Sequence, residues 1–198
     1  MIELKYTEDY YPGTREELIS KLKASLSQER FEHCLRVEQC AIKLAKLNDY
    51  NLELASIAGL VHDYAKERSD SEFKKEIFQK NLDKSLLKWG NFIWHGEVGA
   101  EIIRDELNIK NKLVLDAVRN HTVGNVHMNT LDKIVYVADY IEPGRVFPDV
   151  DFARNIAFQN LDDAVKFETK HTLQYLMQAN HKIYPEAILT YNKWVAEN

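Results

Sequence analysis

Histidine and aspartate recur at five stations on or beside apolar segments: His33, the pair His62-Asp63, His95, His121 and Asp139. Asp139 follows Val135-Tyr136-Val137-Ala138. His62-Asp63 closes the most apolar run in the chain, Leu54-Ala55-Ser56-Ile57-Ala58-Gly59-Leu60-Val61. A carboxylate in such surroundings must be paired, hydrogen-bonded or metal-bound, because an isolated buried charge is very costly. Imidazole with carboxylate suits Fe, Mn, Zn, Co or Ni rather than Ca. A lone His-Asp dipeptide carries little weight, and a single buried histidine is more often a hydrogen-bonded core residue. The ordered set, each member in apolar context, points to a metal centre.

That chemistry places demands on the fold. Neighbours on a helix diverge by roughly 100°, so His62 and Asp63 reach one ion only near a helix end. His33 and Asp139 must come from other helices, and facing helices of a bundle project ligands into a shared interior. The rest of the chain agrees. Strand-type alternation is scarce, helical spacing is common, and the expected class is all-α. Met1 to Gly13 reads as an irregular arm, and Thr14 with Glu17 forms a capping-box pattern before a first helix. A second helix is expected over Ser27 to Leu47, and a third, capped by Asn51, over Leu52 to Glu67. The third is apolar nearly all round and belongs in the middle of the bundle. Short helices are expected at Glu72 to Phe78 and Lys84 to Trp89. Longer ones follow at Gly96 to Leu107, Asn111 to Asn120 and Leu131 to Ile141, the last with Thr130 as cap. Glu142-Pro143-Gly144-Arg145 breaks the chain. The remaining helices are read near Phe152 to Ala157, Asp162 to Ala179 and Pro185 to Ala196.

The 198 residues suit one domain, spanning 1–198 with its core at about 27–145, an N-terminal helical extension, and C-terminal helices that complete the bundle. Net charge is -5. A nucleic-acid binder usually carries a basic stripe, so that class is disfavoured, whereas a few local cations suffice to hold a small anion. Cys34 and Cys40 are the only cysteines and read as small core residues. No secretory signal is visible and no apolar run reaches the ~18 residues of a membrane span. A cytoplasmic setting is expected. His127, His171 and His181 have no placed partner; Trp94, next to His95, is a packing residue that could also line a pocket.

Four segments carry a closer resemblance: Ala58-Gly59-Leu60-Val61-His62-Asp63-Tyr64-Ala65-Lys66, His95-Gly96-Glu97-Val98-Gly99-Ala100, Ala117-Val118-Arg119-Asn120-His121-Thr122 and Val137-Ala138-Asp139-Tyr140-Ile141-Glu142-Pro143-Gly144-Arg145. The order His…His-Asp…Asp resembles the HD superfamily of metal-dependent phosphohydrolases. These segments resemble its YqeK-type bacterial family, which contains symmetrical bis(5'-nucleosyl)-tetraphosphatases. The likeness runs from about Phe31 to Asn192, and Ile-Glu-Pro-Gly-Arg is its most specific part. It implies an HD-domain helical bundle, one transition-metal ion with iron first and Mn, Co, Zn or Ni as alternatives, and hydrolysis of diadenosine tetraphosphate to two ADP.

By the same resemblance His33, His62, Asp63 and Asp139 are the metal ligands. Asp63, Lys66, His95 and His121 are the catalytic set, with Asp63 or a group behind the ligands taking a proton from water. Arg36, Asp63, Lys66, His95, His121, Arg145 and Tyr184 are the nucleotide contacts, although Arg36, Lys66 and Arg145 also read as solvated surface cations. A second metal at His95 and His121 is the lesser alternative. Tyr184 precedes Pro185 where the family more commonly has His-Pro, which puts base contacts there in doubt. The nucleotide is the expected partner, with no nucleic acid and no membrane; a homodimer stays open. Other readings also stay open: a nucleotidase, a dNTP hydrolase, an alarmone or cyclic-nucleotide hydrolase, a non-catalytic nucleotide-binding module, or a plain helical adaptor.

Overall fold

Side-chain caps start most of the helices in the computed structural model, which describes residues 4–197. Thr14 and Glu17 close the expected capping box on α1 (Arg15–Ser25). Ser27 caps α2 (Gln28–Leu47), and Asn51 accepts from the backbone of Glu53 and Leu54 to start α3 (Leu52–Val61). Ser69 with Glu72 boxes α4 (Asp70–Gln79), and Asp83 caps a 3-10 turn at Lys84–Lys88. Then come α5 (Asn91–Glu97), α6 (Gly99–Glu106), α7 (Lys112–Asn120, capped by Asn111) and α8 (Thr130–Ile141). The last third holds α9 (Val150–Ala157), α10 (Leu161–Gln178), α11 (Pro185–Tyr191) and a π turn at Asn192–Ala196. No strand occurs among the described residues, and the class is all-α.

Three expectations are corrected. The cap of α8 is Asn129, whose side chain accepts from the Leu131 and Asp132 backbone while Asp132 reaches back; Thr130 is already the first helical residue. The single helix expected over Gly96 to Leu107 begins earlier and breaks at Val98 into α5 and α6. The third helix stops at Val61 rather than Glu67. Beyond it the backbone tightens to three-residue bonds, Tyr64 N–H to Val61 O at 2.9 Å and Lys66 N–H to Asp63 O at 2.9 Å. This tightening changes the angle between successive side chains, just where His62 and Asp63 must face one place.

α3 is the central helix. Every residue from Leu54 to Val61 is buried, and α2, α7 and α8 pack around it. Gly59 lets α2 come close: a Cβ there would stand 2.9 Å from Glu38 Cα. Two polar groups share that seam, since Ser56 Oγ donates to Glu38 at 2.6 Å and Arg15 pairs with the same carboxylate at 2.6 and 2.5 Å. Breaking such a buried pair leaves an uncompensated charge, typically a loss of about 3–5 kcal/mol. The N-terminal arm is irregular as expected, and it is packed against the bundle. Tyr11 is buried and Tyr6 bonds Ser56 at 2.7 Å, so residues 4–13 cover the start of α3; residues 1–3 of that arm lie outside the described residues. No described helix is long and apolar enough to cross a membrane.

Candidate metal centre and phosphate cleft

Five elements deliver the His and Asp stations to one place. His33 comes from α2, His62-Asp63 from the tight turn ending α3, His121 from the end of α7, and Asp139 from α8. His95, from the short α5, completes the group. His33 Nε2 lies 3.1 Å from Asp139 Oδ1 and 3.3 Å from His62 Nε2. Asp63 Oδ2 is 3.7 Å from His33 Nε2 and 3.6 Å from His62 Nε2. The other oxygen, Oδ1, faces the second pair, 3.5 Å from His95 Nε2 and 3.6 Å from His121 Nε2; those two nitrogens are 3.1 Å apart. Asp63 therefore bridges both groups of imidazoles.

Hydrogen bonds on the far side of each ring set its tautomer. Nδ1 of His62, His95 and His121 faces the carbonyl of Gly59 (2.8 Å), Asn91 (2.5 Å) and Val118 (2.7 Å). His33 Nδ1 faces the Glu142 carboxylate at 3.1 Å. An Nδ1 aimed at an acceptor carries the proton, which leaves Nε2 as a lone pair aimed at the cluster. This is the arrangement that holds metal-ligating histidines in place. Burial pushes the His62 imidazole down to about 4 and the His95 imidazole down to about 3, so both are neutral at pH 7. Burial alone would raise the Asp63 carboxyl, but His62, His121, His95 and Lys66 outweigh it and hold the group well below the ordinary range. Asp139 behaves alike: His33 and Arg145 overcome its burial.

The resulting donor set fits a cation. Facing lone pairs on His33 and His62 repel unless a positive charge sits among them. Asp63 Oδ1 is buried with no hydrogen-bond partner among the described residues. His33, His62 and Asp139 offer donor atoms within 4.8 Å of one another, as do His62, Asp63 and His121. Neutral imidazoles and ionised carboxylates are the ligand forms a transition ion needs.

Cations line the entrance. Lys66 Nζ lies 3.0 Å from His95 Nε2 and donates to that lone pair. Arg145 donates from Nη2 to Asp139 Oδ1 (2.5 Å) and from Nε to the Asp139 carbonyl (2.8 Å). Both line a cleft of about 320 Å³ together with Phe92, His95, His121, Asp139 and Tyr140. Arg36 is held differently. Its Nε donates to Glu142 Oε2 at 2.6 Å, so it braces the carboxylate that orients His33. Gly144 leaves room for the guanidinium beside it, since a Cβ there would stand 2.6 Å from Arg36 Nε and make that side chain shift. Tyr184 packs edge-on against Trp89, 4.9 Å between centroids, and Lys182 Nζ lies 4.1 Å over the Trp89 ring. Trp89 in turn meets Phe92 at the cleft.

Trp94 is buried and donates from its indole to the Leu86 carbonyl, which makes it the packing residue expected and keeps it out of the cleft. One expectation about a ring is corrected. His171 has partners after all: it bonds Tyr140 Oη at 2.6 Å and stacks on Phe167. Three functional candidates were not legible as such. Arg30, one turn before His33, donates to Asp63 Oδ2 at 2.8 Å; the i, i+3 spacing was the available signal. Glu142 lies inside the Pro-Gly turn motif but gave no sign of its partners. Glu168 lines the cleft, and burial pushes its carboxyl well above the ordinary range.

A family model described as HD domain matches residues 30–144. A protein named symmetrical bis(5'-nucleosyl)-tetraphosphatase from Bacillus subtilis (strain 168) is 39% identical over 178 residues, covering 90% of this chain and 96% of that protein. One of the same name from Halalkalibacterium halodurans is 36% identical over 183 residues, covering 92% and 98%. The crystal structure of a Clostridium acetobutylicum protein, described as a predicted HD superfamily hydrolase involved in NAD metabolism, superposes with a TM-score of 0.88. It is 29% identical, with 94% of this chain and 99% of that one covered.

Proposed function

This chain belongs to the HD domain family, among the symmetrical bis(5'-nucleosyl)-tetraphosphatases, and from that premise we propose that it hydrolyses diadenosine tetraphosphate to two ADP. The observation that carries the reading is the meeting, in one cleft, of a cation-shaped His/Asp cluster with two cationic side chains, Lys66 and Arg145.

His33, His62, Asp63 and Asp139 would hold one divalent ion, with iron first among the transition metals. When bound, such an ion supplies Lewis acidity to a phosphoryl oxygen and acidifies water. The Lys66 ammonium already occupies the neighbourhood of His95, so a second ion at His95 and His121 would have to compete with it. Burial lowers the Lys66 ammonium, with Asp63 and Asp139 restoring part of the loss, and the group donates toward the cleft. Lys66 and Arg145 bind and neutralise phosphate oxygens as negative charge moves to the leaving ADP. Asp63 faces both imidazole pairs through separate oxygens, which fits it for ligation. Arg36 and Arg30 act as braces, through Glu142 and Asp63. Tyr184, with Trp89 and Phe92, forms an aromatic arm for one adenine. The buried free thiols of Cys34 and Cys40 support a cytoplasmic setting.

Two measurements test the proposal. Incubation with diadenosine tetraphosphate followed by chromatography should give ADP alone; ATP with AMP would mean asymmetric cleavage and a different enzyme. Lys66→Ala should keep its metal and its fold while turnover drops about 10²–10³-fold, the scale of losing one preorganised donor to the developing charge. Unchanged turnover in that variant would remove Lys66 from the phosphate site.

A further inference from the structure

A dinucleoside tetraphosphate cut at its middle carries two equivalent nucleosides, one on each side of the reacting phosphorus. The Tyr184–Trp89–Phe92 arm accounts for one of them. A second aromatic arm leaves the same cleft and uses different residues. A cavity of about 530 Å³ adjoins the cleft and shares Tyr140, Phe147 and Thr172 with it, so the two are one continuous groove. Its size falls in the range of small-molecule pockets.

The walls of this extension suit a flat heteroaromatic base. Tyr140 and Phe147 lie 4.7 Å apart, Phe147 and His171 5.8 Å apart, and His171 is stacked on Phe167 at 10° between planes. Tyr175, one turn beyond His171 on α10, lines the same groove and is 59% exposed. The rings are thus positioned by one another, yet faces remain open. Between them and the metal cluster stand two polar groups one helical turn apart, Glu168 and Thr172. Glu168 is 6% exposed, and its Oε2 is buried without a hydrogen-bond partner among the described residues. A buried carboxyl is stable only when hydrogen-bonded, and a ribose presents hydroxyls that satisfy it. Carboxylates at nucleotide sites recurrently bond ribose hydroxyls.

The geometry points to a second nucleoside subsite: Tyr140, Phe147, His171 and Tyr175 hold the other adenine of the dinucleotide, and Glu168 and Thr172 take its ribose. The assignment rests on the function proposed above, because that substrate supplies the second nucleoside.

Equilibrium binding to the metal-replete protein tests it. Two non-hydrolysable ligands are compared: diadenosine tetraphosphate with a methylene group in place of its central bridging oxygen, and adenosine tetraphosphate with the same replacement. The unaltered protein should bind the two-nucleoside ligand at least about 10-fold tighter, the lower part of the range for stacking a base on an aromatic side chain. Tyr175→Ala and Phe147→Ala should erase that difference and leave the one-nucleoside ligand unaffected. Phe147→Tyr should restore it. Equal weakening of both ligands would assign the groove to the first nucleoside, and no weakening of either would leave it without a nucleotide role; each overturns the proposal. A halving of the solution mass in Tyr175→Ala, with both affinities unchanged, would assign the groove to a second copy of this chain and overturn it too. Turnover of ordinary diadenosine tetraphosphate is followed in parallel. If the unaltered protein releases no ADP, the proposed function fails, while the binding comparison still decides the groove.

Discussion

Asp63→Ala should give a folded helical protein that has lost its metal and more than about 10³-fold of its hydrolytic rate, the upper scale for deleting one preorganised group at a reacting centre. The effect is large because Asp63 faces all four imidazoles of the site. Oδ2 pairs with Arg30 and approaches His33 and His62, while Oδ1 faces His95 and His121. Among the described residues no other side chain reaches both imidazole pairs through separate atoms. The fold should survive, because the helices around α3 are held by the apolar run from Leu54 to Val61 and not by this carboxylate. Arg30, 29% exposed at its side chain, can turn to water when its partner goes. Circular dichroism and elemental analysis check fold and metal, and product release checks rate. Full activity with metal still bound would refute the ligand assignment for Asp63.

Stripping the ion with a chelator should abolish turnover and lower the melting temperature together. An ion present at 100 times its dissociation constant stabilises the native state by about 2.7 kcal/mol. At about 2–4 °C per kcal/mol for a chain of this size, the loss is roughly 5–10 °C. Without a cation, lone pairs of His33 and His62 face each other at 3.3 Å beside two ionised carboxylates, with both rings and Asp63 buried and Asp139 at the edge of the cleft. Addition of iron, manganese or another first-row ion should restore both readouts. Because His62 and His95 are held neutral by burial, their protons are not released when the ion enters at pH 7. Scanning calorimetry with and without chelator, alongside the activity assay, makes the check. Activity and melting temperature both unmoved after complete removal of metal would end the metal-centre reading.

Glu142 and His171 show how differently two polar residues can be read from a chain. Glu142 sits in a motif specific enough to mark the family, yet its work is to accept from His33 Nδ1 and Arg36 Nε across more than 100 positions. His171 carries no motif, and it bonds Tyr140, the neighbour of Asp139, and stacks on Phe167. The same limit applies to Arg36. As a cation on the face of α2 it reads equally as a phosphate clamp or a solvated charge, and only its distance to Glu142 shows it bracing a ligand.

What the chain by itself determined is what near neighbours decide. Caps such as Thr14 and Asn51, helical periodicity and the apolar run of α3 depend on residues within a turn or two of one another, and the identity and order of His33, His62-Asp63 and Asp139 are properties of the chain itself. Backbone hydrogen bonding and burial act at that range, so these features were legible. The tertiary structure alone decided which carboxylate each imidazole faces, that Asp63 spans two groups, that α5 and α6 break at Val98, and that Tyr140, Phe147, His171 and Tyr175 form one groove. Those outcomes follow from how helices distant in sequence pack, and a pattern of spacing holds no record of the angle at which two helices meet.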